Sequence, residues 1–308
     1  MTIAFISHAS CEQHDLGDSH PESPRRLQAI NDHLLATGLD LALRYYDAPQ
    51  VGMGQLQRVH DKSYIELVHS KAPTEGTVWL DPDTGMMSKT LPAALHAAGA
   101  VVLATELVCE DKADQAFCSI RPPGHHAERD RAMGFCIFNN VAVGVAHAMA
   151  EYGLERIAII DFDVHHGNGT EAIFRDDERV MMCSTFRHPF YPFSGADNPS
   201  ERMINVPLEA GSKSDVFREA VTAHWLPALR KFRPQLLYIS AGFDAHAADD
   251  MGGLSLLESD YQWVTVELKQ LMLECHGVAR IISVLEGGYE TGALARSVAA
   301  HLKGMLDG

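Results

Sequence analysis

Cationic side chains are scarce. Lys and Arg total 25 against 41 Asp and Glu, a formal charge of −16. Such a surface repels phosphate backbones, so no nucleic-acid partner is expected. Closely spaced cysteine pairs are missing too. Cys11, Cys109, Cys118, Cys136, Cys183 and Cys275 form no C-x-x-C. That argues against a disulfide framework or a thiolate zinc site, and fits reduced thiols in a cytoplasmic protein. No basic segment precedes the apolar run at Thr2 to Ile6, which reads as a first strand and not as a signal peptide. No uncharged apolar stretch reaches bilayer length. The richest, Leu91 to Cys109, carries His96 and Glu106, so no membrane association is expected. Low-complexity tracts, internal repeats and linker-like segments are also absent, and a single domain over 1–308 is the expectation.

What is present is an alternation. Continuous apolar runs of strand length lie at Ala4 to Ile6, Ala116 to Ile120, Ile157 to Ile160, Val180 to Cys183, Leu236 to Ile239 and Ile281 to Leu285. Unbroken runs suit strands buried on both faces of a parallel sheet. Helical spacing fills the intervals, at roughly 24–37, 88–108, 139–152, 214–231, 258–276 and 292–306. The pattern predicts a layered α/β fold.

The polar chemistry sits just after four of these runs. Ile120 leads into Arg121-Pro122-Pro123-Gly124-His125-His126, and Ile160 into Asp161-Phe162-Asp163-Val164-His165-His166. Ile239 leads into Ser240-Ala241-Gly242-Phe243-Asp244, and Leu285 into Glu286-Gly287-Gly288-Tyr289. Sites in open α/β sheets form at the carboxyl ends of strands, so the four loops should converge.

Alternate residues of an extended strand end point the same way. Asp163 and His165 can therefore grip one ion, and carboxylate with imidazole suits zinc. A catalytic site needs a third protein ligand, and Asp244 is the natural choice, although a strand-end turn or N-cap explains it equally well. His125 and His126 sit on a loop stiffened by proline, and histidine can take a proton from a hydrolytic water. Tyr289, after two glycines, can be turned into a cleft as an oxyanion donor. Alone, this last motif fits a buried structural tyrosine better. His8, His14, His33, His69, His96, His147, His224, His276 and His301 lack metal-like spacing and read as surface or structural residues. His246, two positions after Asp244, falls near the expected mouth.

Taken together the motifs resemble the histone deacetylase superfamily, in its class II branch with bacterial relatives. The matching blocks are His20 to Leu27, R-P-P-G-H-H at 121–126, G-F-C-I-F-N-N at 134–140, D-F-D-V-H-H-G-N-G-T at 161–170, S-A-G-F-D-A at 240–245 and E-G-G-Y at 286–289. They run nearly end to end in family order.

The resemblance implies the arginase–deacetylase fold, three α/β/α layers around a central, mostly parallel sheet. It implies zinc on Asp163, His165 and Asp244, with His126 as general base and then acid, and His125 as its electrostatic partner. Tyr289 would bond the scissile carbonyl. Asp161 would stand behind His125 and Asn168 behind His126. Because Asn168 replaces the aspartate of class I members, the two histidines should differ in basicity. Potassium would be held by Asp161 and Ser184, with backbone oxygens of Asp161, Asp163, His165 and Thr185. A substrate tunnel would be lined by Gly134, Phe135, Tyr191, Met251 and Gly288.

The implied reaction is hydrolysis of N-acetylated amines. Acetyl-lysine in a peptide or protein is favoured by Met251, where some polyamine-specific relatives place a glutamate. Acetylated polyamine is the alternative, with Asp249, Asp250 and the net charge as its attraction. Asp81 and Asp83 are rim candidates for a substrate backbone, or turn and cap residues. Hydroxamates should bind, and a homo-oligomer is an option. An arginase-like binuclear manganese enzyme and a non-catalytic metal-binding module are the weaker readings.

Overall fold

In a computed structural model, residues 2–197 and 200–307 are described. The strands are β1 (Ile3–Ser7), β2 (Leu43–Asp47), β3 (Val78–Trp79), β4 (Gly85–Met86), β5 (Gln115–Cys118), β6 (Ile157–Asp161), β7 (Val180–Arg187), β8 (Met203–Leu208), β9 (Leu236–Ala241) and β10 (Ile281–Leu285). The helices are α1 (Arg25–Thr37), α2 (Met53–Leu56), α3 (Lys62–Lys71), α4 (Thr90–Cys109), α5 (Asn140–Tyr152), α6 (Asn168–Phe174), α7 (Ser214–Ala220), α8 (Leu226–Phe232), α9 (Glu258–His276) and α10 (Thr291–Leu306).

Eight strands form one sheet in the order β2-β1-β5-β10-β9-β6-β7-β8, and every pairing is parallel. The expected mostly parallel sheet is thus wholly parallel, and β3 and β4 make a separate antiparallel hairpin. All six apolar runs are strands of this sheet. β6, β9 and β10 are buried at every position because helices cover both faces. The edge strands β2 and β8 escaped the sequence reading. Leu-Arg-Tyr-Tyr-Asp and Met-Ile-Asn-Val-Pro-Leu are half exposed and carry no continuous apolar run.

Helix α4 has the length and hydropathy of a membrane span, but 67% of that window is buried inside the fold. Its alanines and valines pack on α5 and on the sheet, which accounts for its composition. Helices α7 and α8 are joined through a π-helical turn, Val221–Trp225, and together fill the segment expected as one helix.

The chain leaves β5 through α5 and re-enters the sheet at β6, three places away; β9 and β10 later fill the two positions between. The contiguous central strands β5, β10, β9 and β6 are therefore the four that carry the polar loops. Their carboxyl ends open at the point where the strand order reverses, which is where α/β sheets bind ligands.

Candidate active site

The β6 loop brings Asp163 and His165 to face Asp244 from the β9 loop. One ligand atom of each lies within 4.8 Å of the others, all three residues being buried. His165 Nδ1 is 3.0 Å from Asp163 Oδ1 and 3.3 Å from Asp244 Oδ2. Backbone N–H groups hold the carboxylates in place. Val164 donates to Asp244 Oδ1 at 2.9 Å, and Gly287 of the β10 loop to Asp163 Oδ2 at 2.8 Å. Asp244 Oδ2 is buried and makes no hydrogen bond. A Cβ on Gly287 would lie 2.1 Å from that oxygen, and one on Gly242 would lie 2.0 Å from Asp163 Oδ2. Glycine there keeps a cradle open beside two carboxylates. A buried oxygen without a donor, two acids and one imidazole fit a divalent cation.

The paired histidines lie alongside, ring centroids 4.0 Å apart. His125 Nδ1 meets Asp161 Oδ2 at 3.0 Å, and His126 Nδ1 meets Asn168 Oδ1 at 2.8 Å. Burial alone would lower His125, but the Asp161 and Asp163 carboxylates outweigh it and raise the imidazole to about 10. His126 lies well below the ordinary value, through burial and the neighbouring His125 and His165. The two histidines thus shift in opposite directions, His125 upward with the neighbouring carboxylates and His126 downward with burial. Burial favours protonation of Asp244, and Asp163 adds to it, raising that carboxyl to about 7. Asp163 moves the other way; burial is outweighed by His125 and His165. Burial, then the Asp244 charge, holds the Tyr289 phenol well above its usual value, so it remains a donor at neutral pH.

Above these groups is a cavity of about 330 Å³, lined by His126, His165, Tyr289, Phe135, Phe190, Tyr191, Gly134, Met251 and Asp83. The Phe135 ring meets Tyr289 edge-on, with centroids 5.9 Å apart. Tyr191 stands edge-on to His126 at 5.2 Å, and Phe190 stacks on His165 at 5.3 Å. A Cβ on Gly134 would come within 2.3 Å of the His126 ring, so only glycine allows the wall to close against the base. A larger cavity of about 570 Å³, between Arg58, Arg129 and Arg179, contains none of these groups.

The remaining expected residues fall as follows. Asp161 and Ser184 are register partners across β6 and β7, with Thr185 buried next in line. Gly288 is not among the cavity-lining residues. It lies behind Tyr289 at φ 117°, its carbonyl accepting from Arg26 Nε at 2.6 Å. Asp83 reaches the rim, where Oδ1 accepts from Gly134 N at 3.0 Å; Asp81 folds back to cap Asp83 N. His246 turns away from the mouth, its Nε2 lying 3.5 Å from Glu258. Asp249 is buried with both oxygens bonded to backbone N–H groups, so of the acidic pair only Asp250 is exposed to attract a cation.

Several supporting residues went unread in the sequence. Phe190, next to the expected Tyr191, also lines the cavity. Glu128 accepts from Asn168 Nδ2 at 2.8 Å. Glu286 Oε2 accepts from Gly124 N at 2.7 Å and His125 N at 3.2 Å, tying the β5 loop to the β10 loop. Arg26 joins Glu22 to the carbonyls of Glu286 and Gly288, and its guanidinium lies 5.1 Å from the Tyr289 ring centre. Arg26 lies within the His20 to Leu27 block and Glu286 opens the E-G-G-Y block, the one signal the sequence carries for them.

Comparison with known proteins agrees with this geometry. A family model described as "Histone deacetylase domain" matches residues 20–305. The chain is 36% identical to the "Histone deacetylase-like amidohydrolase" of Pseudomonas aeruginosa over 87% of its own length and 71% of that protein. It is 34% identical to "Type-2 histone deacetylase 2" of Dictyostelium discoideum, matching 99% of this chain but spanning only 21% of that longer protein. Among solved structures, the crystal structure of the HDA15 HD domain superposes with a TM-score of 0.92 at 30% identity, covering 99% of this chain and 88% of that one.

Proposed function

The chain belongs to the histone deacetylase family, and from that premise we propose that it is a zinc-dependent amidohydrolase acting on acetylated lysine side chains. The observation that carries the reading is Asp244 Oδ2, a buried oxygen without a hydrogen bond that faces Nδ1 of His165, an imidazole lining the aromatic cavity. Asp163, His165 and Asp244 would hold the ion. Two carboxylates and an imidazole suit zinc, with iron and cobalt as competitors decided by availability. When bound, such an ion supplies Lewis acidity, polarising a carbonyl and making water a better nucleophile.

The chain's own groups do the rest. His126 donates Nδ1–H to Asn168 and so presents Nε2 as an acceptor to the attacking water. Its depressed pKa keeps it neutral and ready as a base. The proton taken there is returned to the amine as the C–N bond breaks. His125, whose Nδ1 is held by Asp161 at 3.0 Å, would add positive charge beside the developing oxyanion. Tyr289 donates a hydrogen bond from its phenol O–H to the acyl oxygen. Phe135, Phe190 and Tyr191 form an apolar sleeve for a four-carbon stem. Next to the site, Asp161 and Ser184, with backbone oxygens of Asp163, His165 and Thr185, would hold potassium as a structural ion.

Met251, 38% exposed, gives the mouth an apolar gate, which favours acyl-lysine. Acetylated polyamine is the second reading, favoured by the Asp83 carboxylate at the rim. The test is kcat/KM for an acetyl-lysine peptide and for N-acetylated polyamines, on zinc-loaded and chelator-treated protein. A preference for the peptide that vanishes with the metal supports the proposal. A preference for polyamines reverses the gate argument, and turnover that survives removal of the metal sinks the zinc assignment.

A further inference from the structure

Asp249 is only 5% exposed, yet it has a use for both carboxylate oxygens. Oδ2 accepts from Tyr289 N at 2.6 Å and from Glu290 N at 3.0 Å. Oδ1 accepts from Met251 N at 3.0 Å. The residue itself is anchored by its N–H to the His246 carbonyl at 2.9 Å, and its carbonyl accepts from Gly252 N at 3.3 Å. One side chain thus joins the gate loop to the turn that carries the phenol.

That turn needs an outside restraint. Gly287 and Gly288 immediately precede Tyr289, and Gly288 sits at φ 117°, so the local backbone has little stiffness of its own. Downstream, Glu290 caps α10, accepting from Gly292 N and Ala293 N. The Asp249 carboxylate lies at the amino end of this 16-residue helix, where N–H groups and the helix dipole favour an anion. A buried carboxylate is costly unless its hydrogen bonds are met, and here three backbone donors meet them. Met251 and Tyr289 both line the cavity, whereas Asp249 does not. It touches neither substrate nor the reacting atoms.

We propose that Asp249 is a positioning residue, setting the Tyr289 hydroxyl against the acyl oxygen and coupling the gate loop at Met251 to it. The proposal rests on the amidohydrolase reading of the same site. Its consequence is that the gate selects substrates partly through turnover: a side chain that displaces Met251 also displaces Tyr289.

The test is a double-mutant cycle of Asp249→Asn and Tyr289→Phe on metal-loaded protein. In the parent, Asp249→Asn should lower kcat/KM about tenfold, chiefly in kcat, since the interaction lost is one made in the transition state. In the Tyr289→Phe background the same change should cost less than about twofold, because the group it positions is gone. Equal losses in both backgrounds would mean a merely structural role and overturn the proposal, as would an unaltered kcat in the single variant. If Asp249→Asn does not fold, Asp249→Glu, which keeps the charge but moves it, enters the same cycle. If the parent hydrolyses neither acetyl-lysine peptide nor acetylpolyamine, the functional reading fails by itself. The cycle is then read from hydroxamate affinity, where Asp249→Asn should weaken binding with Tyr289 present and leave it unaltered with Phe, and equal weakening overturns the coupling.

Discussion

His126 and Asn168 are joined by a 2.8 Å contact between the imidazole Nδ1 and the amide Oδ1. The amide cannot be turned over without loss, because its Nδ2 donates to Glu128 Oε1 at 2.8 Å. Oδ1 is therefore the atom facing the histidine, Nδ1 carries the proton, and Nε2 is left as the acceptor. The amide supplies orientation without the charge a carboxylate would add.

Asn168→Asp should supply that charge. An anion on Nδ1 favours the imidazolium form, so the His126 pKa should rise. Activity requires neutral His126, and the acidic limb of kcat/KM should move to higher pH by about one unit. The check is a pH–rate profile of parent and variant at constant ionic strength. An unchanged limb, or one displaced to lower pH, would remove His126 from the role of base.

Tyr289→Phe isolates the oxyanion donor. Loss of one such donor costs about 2.7–4 kcal/mol, a fall in kcat on the order of 10²–10³. KM should change little, since the hydrogen bond strengthens only as the carbonyl oxygen gains charge. Steady-state kinetics on the preferred substrate decide the matter, and undiminished turnover would leave Tyr289 a mere wall of the cavity.

The central sheet was legible because burial on both faces imposes continuous apolar runs, as in Ile157–Asp161 and Ile281–Leu285. The edge strands β2 and β8 were not, since one open edge releases that constraint and admits Arg44, Asn205 and Pro207. The same division holds in the site. Asp163 and His165, or His125 and His126, are neighbours in sequence and announce themselves. Asp249 reaches Tyr289 across 40 positions and Arg26 reaches Gly288 across 262, and nothing local to either residue records the partner. Phe190 was missed for a different reason. Two adjacent aromatics on one short loop both reach the cavity, and a one-wall reading chooses between them.

Arg26 links fold to site, and its removal should be felt in both. The side chain is fully buried, pairs with Glu22 at 3.1 Å, and donates to the Glu286 and Gly288 carbonyls. Arg26→Met keeps much of the volume but leaves two buried carbonyls without donors. Glu22 retains Arg121, so the loss should sit near the lower end of the range for a broken buried pair, about 3 kcal/mol. Denaturant unfolding should show a lower midpoint at unchanged m. Arg26→Lys should recover little of it, since an ammonium cannot reproduce the planar fork that reaches three acceptors. Full rescue by lysine would reduce the contact to simple charge pairing.

Histidines buried in neutral form should withdraw their share of stability as the pH falls. His301 sits between Thr265 Oγ1 at 2.6 Å and Ser283 Oγ at 2.8 Å, and burial lowers it to about 3. Burial likewise lowers His60 to about 4; the Asn139 N–H donates to its Nε2 at 2.9 Å, an acceptor that protonation would abolish. These folded values lie below the ordinary histidine value of 6.5, so between that pH and about 4 the unfolded chain holds more protons than the native one at these two sites. The contribution of these two histidines is then complete above 6.5 and decays as pH falls through this window, by up to about 1.4 kcal/mol per pH unit for each. Glu22 acts later: burial opposes its ionisation, but Arg121 and Arg26 prevail and hold it at about 2, so its contribution fades only in stronger acid. Asp244 and Glu286 oppose the histidines in this window: burial raises both carboxyls to about 7, so each binds its proton in the folded chain first and adds stability as the pH falls, and a histidine variant is needed to isolate the histidine share. His301→Gln, which cannot charge, should be less stable than the parent at pH 7 yet lose less on acidification to pH 5. Urea unfolding at both pH values measures the difference, and an equal loss in parent and variant would show that His301 is not one of the groups that must charge on unfolding.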